Sequence, residues 1–364
     1  MSDARVPNCS SDLRMLETVR SDDHVMSMPG TPTADRNSAL DFTKGALVLF
    51  MILYHWHNHF HVLEGDVYRY LRFLTPSFIF IAGFLISSVY ISKYELTDRR
   101  IPNRLLQRGV KILSIFTVLN AIIILLAPRD GIDRADLFTM KSLVTIYLTG
   151  AAATSGTGRS VSFPVLIPIG YLLLLSAGFL VLSKQCPYIF HLACVSFFLG
   201  VTLLYFCGSE NSHLELLAIG SLGAVVGHVP MERINRIVTC RNALIVAYLC
   251  YLGAITVWNV IYPLQVVGVC LTVALLYLMG RSVVSGWARR HIILLGQYSL
   301  YAYIAQIVIV QILSRGLRRY EGGLWTFVLS FTASFALTMV SVEALQATRK
   351  KVASVDRLYR AVFA

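Results

Sequence analysis

Residues 40–61 read LDFTKGALVLFMILYHWHNHFH, and this stretch decides the fold. Most of it is an apolar run long enough to enter a membrane, because a helix that rises 1.5 Å per residue needs roughly 20 apolar residues to cross about 30 Å of hydrocarbon. The run nevertheless carries an acid, a base and four alternate histidines. Ionisable side chains are costly inside a membrane, so we expect some of these residues to have a function.

The composition extends this interpretation to the whole chain. Its 364 residues are 56% hydrophobic and 14% charged, with a mean hydropathy of +0.64, whereas about a quarter of the residues of an ordinary soluble protein are charged. The net charge of +12 lies mainly in the short connections between apolar runs, which is typical of charge that faces lipid headgroups. These features predict an all-α, polytopic membrane bundle that contacts membrane lipids and binds no nucleic acid, and they leave the oligomeric state open.

Ten apolar runs predict about ten transmembrane helices. They lie at 43–60, 73–92, 108–127, 163–182, 187–207, 213–229, 243–260, 262–280, 291–313 and 324–345. An eleventh run, 141–154, is short and ends in small polar residues, which favours an interfacial or re-entrant segment. With ten spans, the positive-inside rule puts most Lys/Arg clusters and both termini in the cytoplasm. The exceptions are Arg129, Arg134, Arg315, Arg318 and Arg319.

The flanking segments have a different composition. Residues 1–35 are polar and lack an apolar core, so they predict a disordered cytoplasmic tail rather than a signal peptide. Residues 36–347 form the predicted membrane domain, and 348–364 form a short basic cytoplasmic tail. The protein is expected in a membrane as a multi-pass chain, which would be the inner or plasma membrane in a bacterium.

Four ionisable side chains share one face of the predicted first helix, within a sector of roughly 60° at about 100° per residue. They are Asp41, Lys44, His55 and His59. His55 lies well inside the span, and an ordinary histidine pKa near 6.5 suits proton transfer at neutral pH, so we interpret His55 as the catalytic candidate. The neighbouring His57 points to the other side of the helix. A metal site at His55 and His59 lacks a third ligand at a suitable spacing, so no metal is expected.

Four motifs occur in order along the chain. They are R-x3-LDFTKG…LYH at 36–55, FIFIAGFLIS at 78–87, NRLLQRGVKIL at 103–113 and LGQYSLYAYIAQ at 295–306. Together they resemble the acyltransferase-3 family of integral-membrane acyltransferases, over nearly the whole chain from about residue 36. The motifs do not separate this family from its glucan-succinylating branch or from the related heparan-type acetyltransferases. Three residues depart from the family pattern. Lys44 replaces an arginine, Ala82 a serine and Gln306 a histidine.

The resemblance implies an O-acyltransferase that transfers groups other than amino-acyl groups. Its co-substrate would be cytoplasmic acyl-CoA, commonly acetyl-CoA, with no bound cofactor. The acceptor would be a hydroxyl of a glycan or glycolipid, as in polysaccharide O-acetylation. In this interpretation His55 acts as general base or as a transient acyl carrier.

The resemblance also implies roles for further residues. Arg104 and Arg108, at i and i+4, would hold the donor phosphates with two guanidinium forks, or they are ordinary topogenic charges. Asp41, Lys44 and Arg36 would assist at the donor side, although Asp41 and Lys44 also fit a helix-end ion pair. The substrate-lining candidates are Ser299, Tyr303, Gln306 and His59. Hydrogen bonding between helices is an equal alternative for the first three.

Two other classes of function stay open at this point. A proton-coupled secondary transporter or lipid flippase would use Asp41, Lys44 and His55 as a proton relay. Such a fold predicts an internal repeat between the two halves, and the sequence shows no convincing one. A receptor or scaffold without chemistry would leave His55 unexplained.

Overall fold

The apolar runs fold as helices because hydrocarbon offers the backbone no other hydrogen-bond partners. In the computed structural model, all regular structure among the described residues is helical. The described residues are 37–60, 65–91, 100–126, 140–149, 162–183, 188–209, 211–258, 260–282, 286–317 and 324–363. The predicted disordered tail, 1–35, lies outside them, and so does Arg36.

Fifteen α-helices occur in these ranges, and one of them continues into a π-helical turn. They are α1 (Ser38–Phe60), α2 (Gly65–Leu71), α3 (Leu74–Leu85, with the π-helical turn Ile86–Ile91), α4 (Arg100–Leu126), α5 (Met140–Thr149), α6 (Leu166–Leu182), α7 (Tyr188–Phe206), α8 (Ser212–Val226), α9 (Met231–Val238), α10 (Arg241–Val257), α11 (Tyr262–Ser282), α12 (Trp287–Gln297), α13 (Ser299–Leu317), α14 (Leu324–Lys351) and α15 (Ala353–Phe363).

Among the described residues, six helical segments are long and apolar enough to cross a membrane, which makes this a multi-pass membrane protein. They are Tyr68–Ile91, Arg100–Ile123, Tyr188–Phe206, Tyr262–Ser282, Ser299–Leu317 and Trp325–Lys351. A seventh is the pair α8 and α9, if a bend of 105° counts as one span. The remaining predicted runs coincide with α1 and with the shorter apolar helices α6 and α10. The count of ten spans and the cytoplasmic termini stay predictions.

The predicted runs at 291–313 and 141–154 differ from a simple transmembrane helix. The predicted span at 291–313 is not one unbroken helix, because α12 ends before Tyr298, whose backbone leaves the helical region at φ −109° and ψ 27°, and α13 begins after it. The described part of the short run at 141–154 belongs to the ten-residue helix α5, and a helix of this length by itself is too short to cross the hydrocarbon. Tyr171 of α6 donates a hydrogen bond to the Tyr147 carbonyl at 2.9 Å and holds α5 in place.

Helix α1 is central to the second half of the bundle and packs against α3, α11, α12, α13 and α14. Its closest neighbour is α12, because two glycines let the backbones touch. A Cβ on Gly45 would overlap the carbonyl oxygen of Ile292, and a Cβ on Gly296 would overlap that of Asp41. Arg289 lies within 3.4 Å of Ser38 at the start of α1, so α12 runs parallel to α1.

Helix α14 also packs against α1 and runs antiparallel to it. The Trp56 indole donates a hydrogen bond to Ser330 at 3.0 Å, near the end of α1 and the start of α14. Three hydroxyl side chains form a fully buried stripe along α14, as is common where membrane helices pack closely. They are Ser330, Ser334 and Thr338. The two ends of α1 are called below the Asp41 end and the His55 end.

Helix α15, which contains most of the predicted basic tail, folds back onto the break between α12 and α13. The Tyr359 ring lies 5.4 Å from the Tyr298 ring, and Phe363 lies 6.0 Å from Tyr301. Arg349 forms an ion pair with Asp356 at 2.5 Å. An ordered helix therefore covers the kink at Tyr298.

Acidification should release α15 from this position. The hydrogen bond from Arg349 holds the pKa of Asp356 below its ordinary value. A lowered folded-state pKa means that the ion pair stabilises the docked helix above about pH 4 and stops doing so as the pH falls through the lower folded-state value. Hydrogen exchange of residues 353–363, corrected for intrinsic rates, should therefore stay constant between pH 6 and about pH 4 and accelerate as the pH falls further. Asp356→Asn should exchange rapidly already at pH 6, and wild-type protection in that variant would contradict the prediction.

Candidate active site

His55 lies in the last third of α1, on the face that meets α13. Its ring is half-buried, and its Nε2 atom is buried without a hydrogen-bond partner among the described residues. The ring centroid lies 5.1 Å from that of Tyr54 and 6.4 Å from that of Tyr303. A buried imidazole nitrogen without a partner among the described residues can bond a reacting group.

Tyr303 is the central residue of this site. It is 4% exposed, and its ring packs between His55 of α1 and Phe163, which precedes α6. Its hydroxyl is buried beside the backbone of Val165 and makes no hydrogen bond of ordinary geometry to a described residue. Three separate parts of the chain thus meet at one tyrosine.

Gln306 lies one turn beyond Tyr303 on the same buried face. The residue is 0% exposed, and neither its amide oxygen nor its amide nitrogen has a partner within the described ranges. Ser299, four residues before Tyr303, is half-buried. Burying an amide without a hydrogen-bond partner costs about 1–3 kcal/mol. The Gln306 amide is therefore a candidate for hydrogen bonding to substrate.

The backbone beside the site is strained. Phe163 is fully buried and has φ of +62°, a left-handed conformation that costs a non-glycine residue about 1–3 kcal/mol. Two polar side chains hold the preceding residue. Asn120 donates a hydrogen bond to the Ser162 carbonyl at 2.9 Å, and Gln311 donates one to the Ser162 hydroxyl at 3.4 Å. Strain of this kind is concentrated at functional sites.

The sequence prediction did not include these supporting residues. Asn120 and Gln311 had a usable signal, because both are uncharged polar residues inside apolar runs. The conformation of Phe163 had none, since a residue before proline ordinarily adopts an extended conformation.

Asp41 and Lys44 lie far from His55. Their side chains form an ion pair at 2.7 Å that is largely buried at the start of α1. At 1.5 Å per residue, Asp41 and His55 are about 21 Å apart along the helix axis. The pair therefore belongs to the opposite end of the bundle, next to Gly296.

Of the other predicted residues, Arg104 and Arg108 lie far from His55 along the chain, and His59 lies close to it. Arg104 and Arg108 are both exposed on α4. Their spacing of four residues places them on the same face of that helix. The Arg108 guanidinium donates a hydrogen bond to the Tyr90 hydroxyl and lies 5.2 Å from the centre of that ring. His59 is half-buried one turn beyond His55. In the parts of the chain that the structure describes, no group of three or more His, Cys, Asp or Glu side chains could hold a metal ion.

The fold and this site define an integral-membrane protein with an ionisable residue inside a helical bundle, which is the usual place for chemistry in such proteins. A family model described as an acyltransferase domain, that of the acyltransferase-3 family, matches residues 37–343. The chain belongs to this family, and it is a membrane acyltransferase. The resemblance seen in the four motifs is thereby confirmed. No curated protein matches the chain, and no solved structure matches it.

Proposed function

We propose that the protein transfers an acyl group, with acetyl as the first candidate, from cytoplasmic acyl-CoA to a hydroxyl of a glycan or glycolipid. One observation carries this proposal. The Nε2 of His55 is buried without a described partner, in contact with an aromatic cluster, inside a domain of the acyltransferase-3 family. A general base needs an unoccupied nitrogen within hydrogen-bond reach of the acceptor.

In the proposed reaction, His55 Nε2 removes the proton of the acceptor hydroxyl as its oxygen attacks the thioester carbonyl. The new bond is the ester C–O bond, and the bond that breaks is the thioester C–S bond. The proton then passes from His55 to the departing thiolate, which leaves as CoA. Tyr303 and Gln306 would donate hydrogen bonds to the oxygen that gains negative charge, because their polar atoms are buried and lack described partners.

The two ends of α1 would receive the two substrates. Because His55 and Asp41 are separated by about 21 Å along the helix, a donor that enters at the Asp41 end has to extend into the bundle. Lys44 and Asp41 would hold this end of the helix or contact the donor. Arg104, Arg108 and Arg36 stay candidates for its phosphates. Ser299 and His59 stay candidates for lining the substrate path. The acceptor would approach from the His55 end.

The test compares the surface glycans and lipids of cells that contain the protein with those of cells that lack it, by mass spectrometry. The proposal expects an added acyl mass, such as that of acetyl, on at least one glycan or glycolipid only when the protein is present. A transporter or flippase would change the amounts or location of such molecules without adding acyl mass. Identical acylation in both strains would contradict the proposal.

Gln306→Leu should separate stability from activity. Leucine fills a similar volume and removes a buried amide without a described partner, so we expect unchanged or increased thermal stability. If the amide contacts substrate, kcat/KM should fall about 10-fold or more, the usual consequence of losing a transition-state hydrogen bond. Thermal unfolding in detergent and acyl-transfer kinetics measure the two effects. A variant that is less stable but equally active would assign Gln306 a structural role instead.

A further inference from the structure

A cleft of about 340 Å³ lies between α12 and α14, and none of the four motifs includes its basic residues. It is lined by Gly286, Arg289, Arg290, Ile293, Leu294, Gln297 and Gln346. Most of these residues repeat along α12 at helical spacing and form one face of that helix. The volume is within the range of small-molecule sites, about 300–1,000 Å³.

The cleft is positively charged. The guanidinium of Arg289 lies 3.4 Å from the Ser38 hydroxyl and 3.3 Å from the Gly280 carbonyl, which fixes its position, while its Nε atom is buried without a partner among the described residues. Arg290 is exposed on the next position of the helix. The carboxylate nearest along α14, that of Glu343, is bonded to His291 at 2.7 Å. No described carboxylate pairs with either arginine, so their charge is available to a ligand.

The chemistry of the lining favours a phosphate group joined to a larger organic part. Both arginines line the cleft, and a guanidinium group can donate two parallel hydrogen bonds to the oxygens of a phosphate. Gln297 and Gln346 supply amides for sugar hydroxyls or base edges, and Ile293 with Leu294 supplies an apolar wall. The lining thus combines an apolar wall with a few polar groups, as in most small-molecule sites.

The cleft also lies at the correct distance from the reacting site. Arg289 contacts the first residue of α1, and Tyr303 contacts His55, so α12 and α13 follow α1 over the same depth. From Ser38 to His55, that depth is about 26 Å at 1.5 Å per residue. A donor with phosphates at one end and a thioester at the end of a long arm fits this separation.

We propose that the cleft between α12 and α14 is a phosphate-binding site centred on Arg289 and Arg290, and that it holds the nucleotide phosphates of the acyl-CoA donor. This assignment rests on the proposed function for the identity of its ligand. It differs from the donor site predicted at Arg104 and Arg108, of which Arg108 already contacts Tyr90.

Binding of CoA to the purified full-length protein in nanodiscs of neutral lipid tests this site. Arg290→Gln should weaken CoA binding about 10-fold or more, because a charge-assisted phosphate contact is lost. Gln297→Glu should weaken it as well, because it places a carboxylate in the cleft. Arg315→Gln is the matched control, since it removes an exposed arginine near the other end of the α12–α13 pair and should leave CoA affinity unchanged. Both cleft positions are exposed, so the variants should fold, and thermal unfolding checks this.

Three outcomes overturn all or part of the proposal. Wild-type CoA affinity in both cleft variants would eliminate the site. Loss of phosphatidylglycerol binding with intact CoA binding in Arg290→Gln would assign the cleft to a lipid headgroup rather than to the donor. Loss of CoA binding only in Arg104→Gln or Arg108→Gln would return the donor to α4. If Arg290-dependent CoA binding is found but the wild type transfers no acyl group, the site stands and the proposed function fails.

Discussion

Gly296→Ala should unfold much of the bundle, although it adds only one methyl group. The new Cβ would overlap the carbonyl oxygen of Asp41 and lie 2.7 Å from its carbonyl carbon. Backbone atoms cannot rotate away as a side chain can, so α1 and α12 would have to separate. Overpacking of this kind costs about 3 kcal/mol or more at the unfavourable extreme. Thermal unfolding in detergent and the yield of monodisperse protein should both fall clearly.

Gly253→Ala is the matched control for this prediction. It also lies within an apolar helix, α10, but a Cβ there would meet nothing within 4 Å. Alanine is the better helix former by about 0.5–1 kcal/mol, so the control should be as stable as the wild type or slightly more stable. Equal stability of Gly296→Ala and Gly253→Ala would show that α1 and α12 do not pack through their backbones.

The same contact shows what the sequence could and could not predict. Gly45 lies in the first of the four motifs and Gly296 lies in the last. Small residues on a membrane helix indicate that another helix approaches closely, but they do not indicate which helix it is. The structure answers this question, because the two glycines are each other's neighbours. The glycine of the first motif and the glycine of the last motif therefore serve one and the same contact between α1 and α12.

The long apolar runs were predictable because each follows from one physical requirement, the satisfaction of backbone hydrogen bonds in hydrocarbon. The break at Tyr298 was not predictable, because the nearby glycine, Gly296, lies inside α12 and serves the contact with α1, and no proline follows it. Its stability depends on contacts from distant residues, since Arg349 lies 5.3 Å from the centre of the Tyr298 ring and Tyr359 packs beside it. Helix breaks of tertiary origin leave no local pattern.

The candidate site also contains residues that the sequence could predict and residues that it could not. His55 was identifiable alone, because an ionisable side chain deep in an apolar run has a cost that needs a compensating role. Tyr303 followed from the resemblance, and the structure adds its contact with His55. Phe163 and its left-handed backbone arise only from the way in which Ser162 is held by α4 and α13. Contacts between side chains of different helices, such as those that hold Ser162, do not follow from the pattern of any one helix.

His55→Ala should reduce kcat for acyl transfer by about 10²–10⁴-fold, the usual contribution of a general base. KM for either substrate should change little, because the base acts mainly in the transition state. His57→Ala is the matched control, since His57 lies on the same helix two residues later and outside the cluster around Tyr303. Purified protein in nanodiscs, with acyl-CoA and an acceptor identified from the cell comparison, gives both constants. Wild-type kcat in His55→Ala would remove His55 from the mechanism.

The same variant distinguishes a base from an acyl carrier when the acceptor is omitted. If His55 only removes a proton, wild-type protein and His55→Ala should both leave acyl-CoA intact, since no hydroxyl is present to attack the thioester. If Nε2 itself attacks, the wild type should release about one equivalent of CoA in a burst and carry the acyl group, and His55→Ala should show neither. The buried position of Nε2 favours a detectable intermediate in that case, because water has limited access to an acyl-imidazole formed there. A burst that persists in His55→Ala would place the acyl group on a different residue.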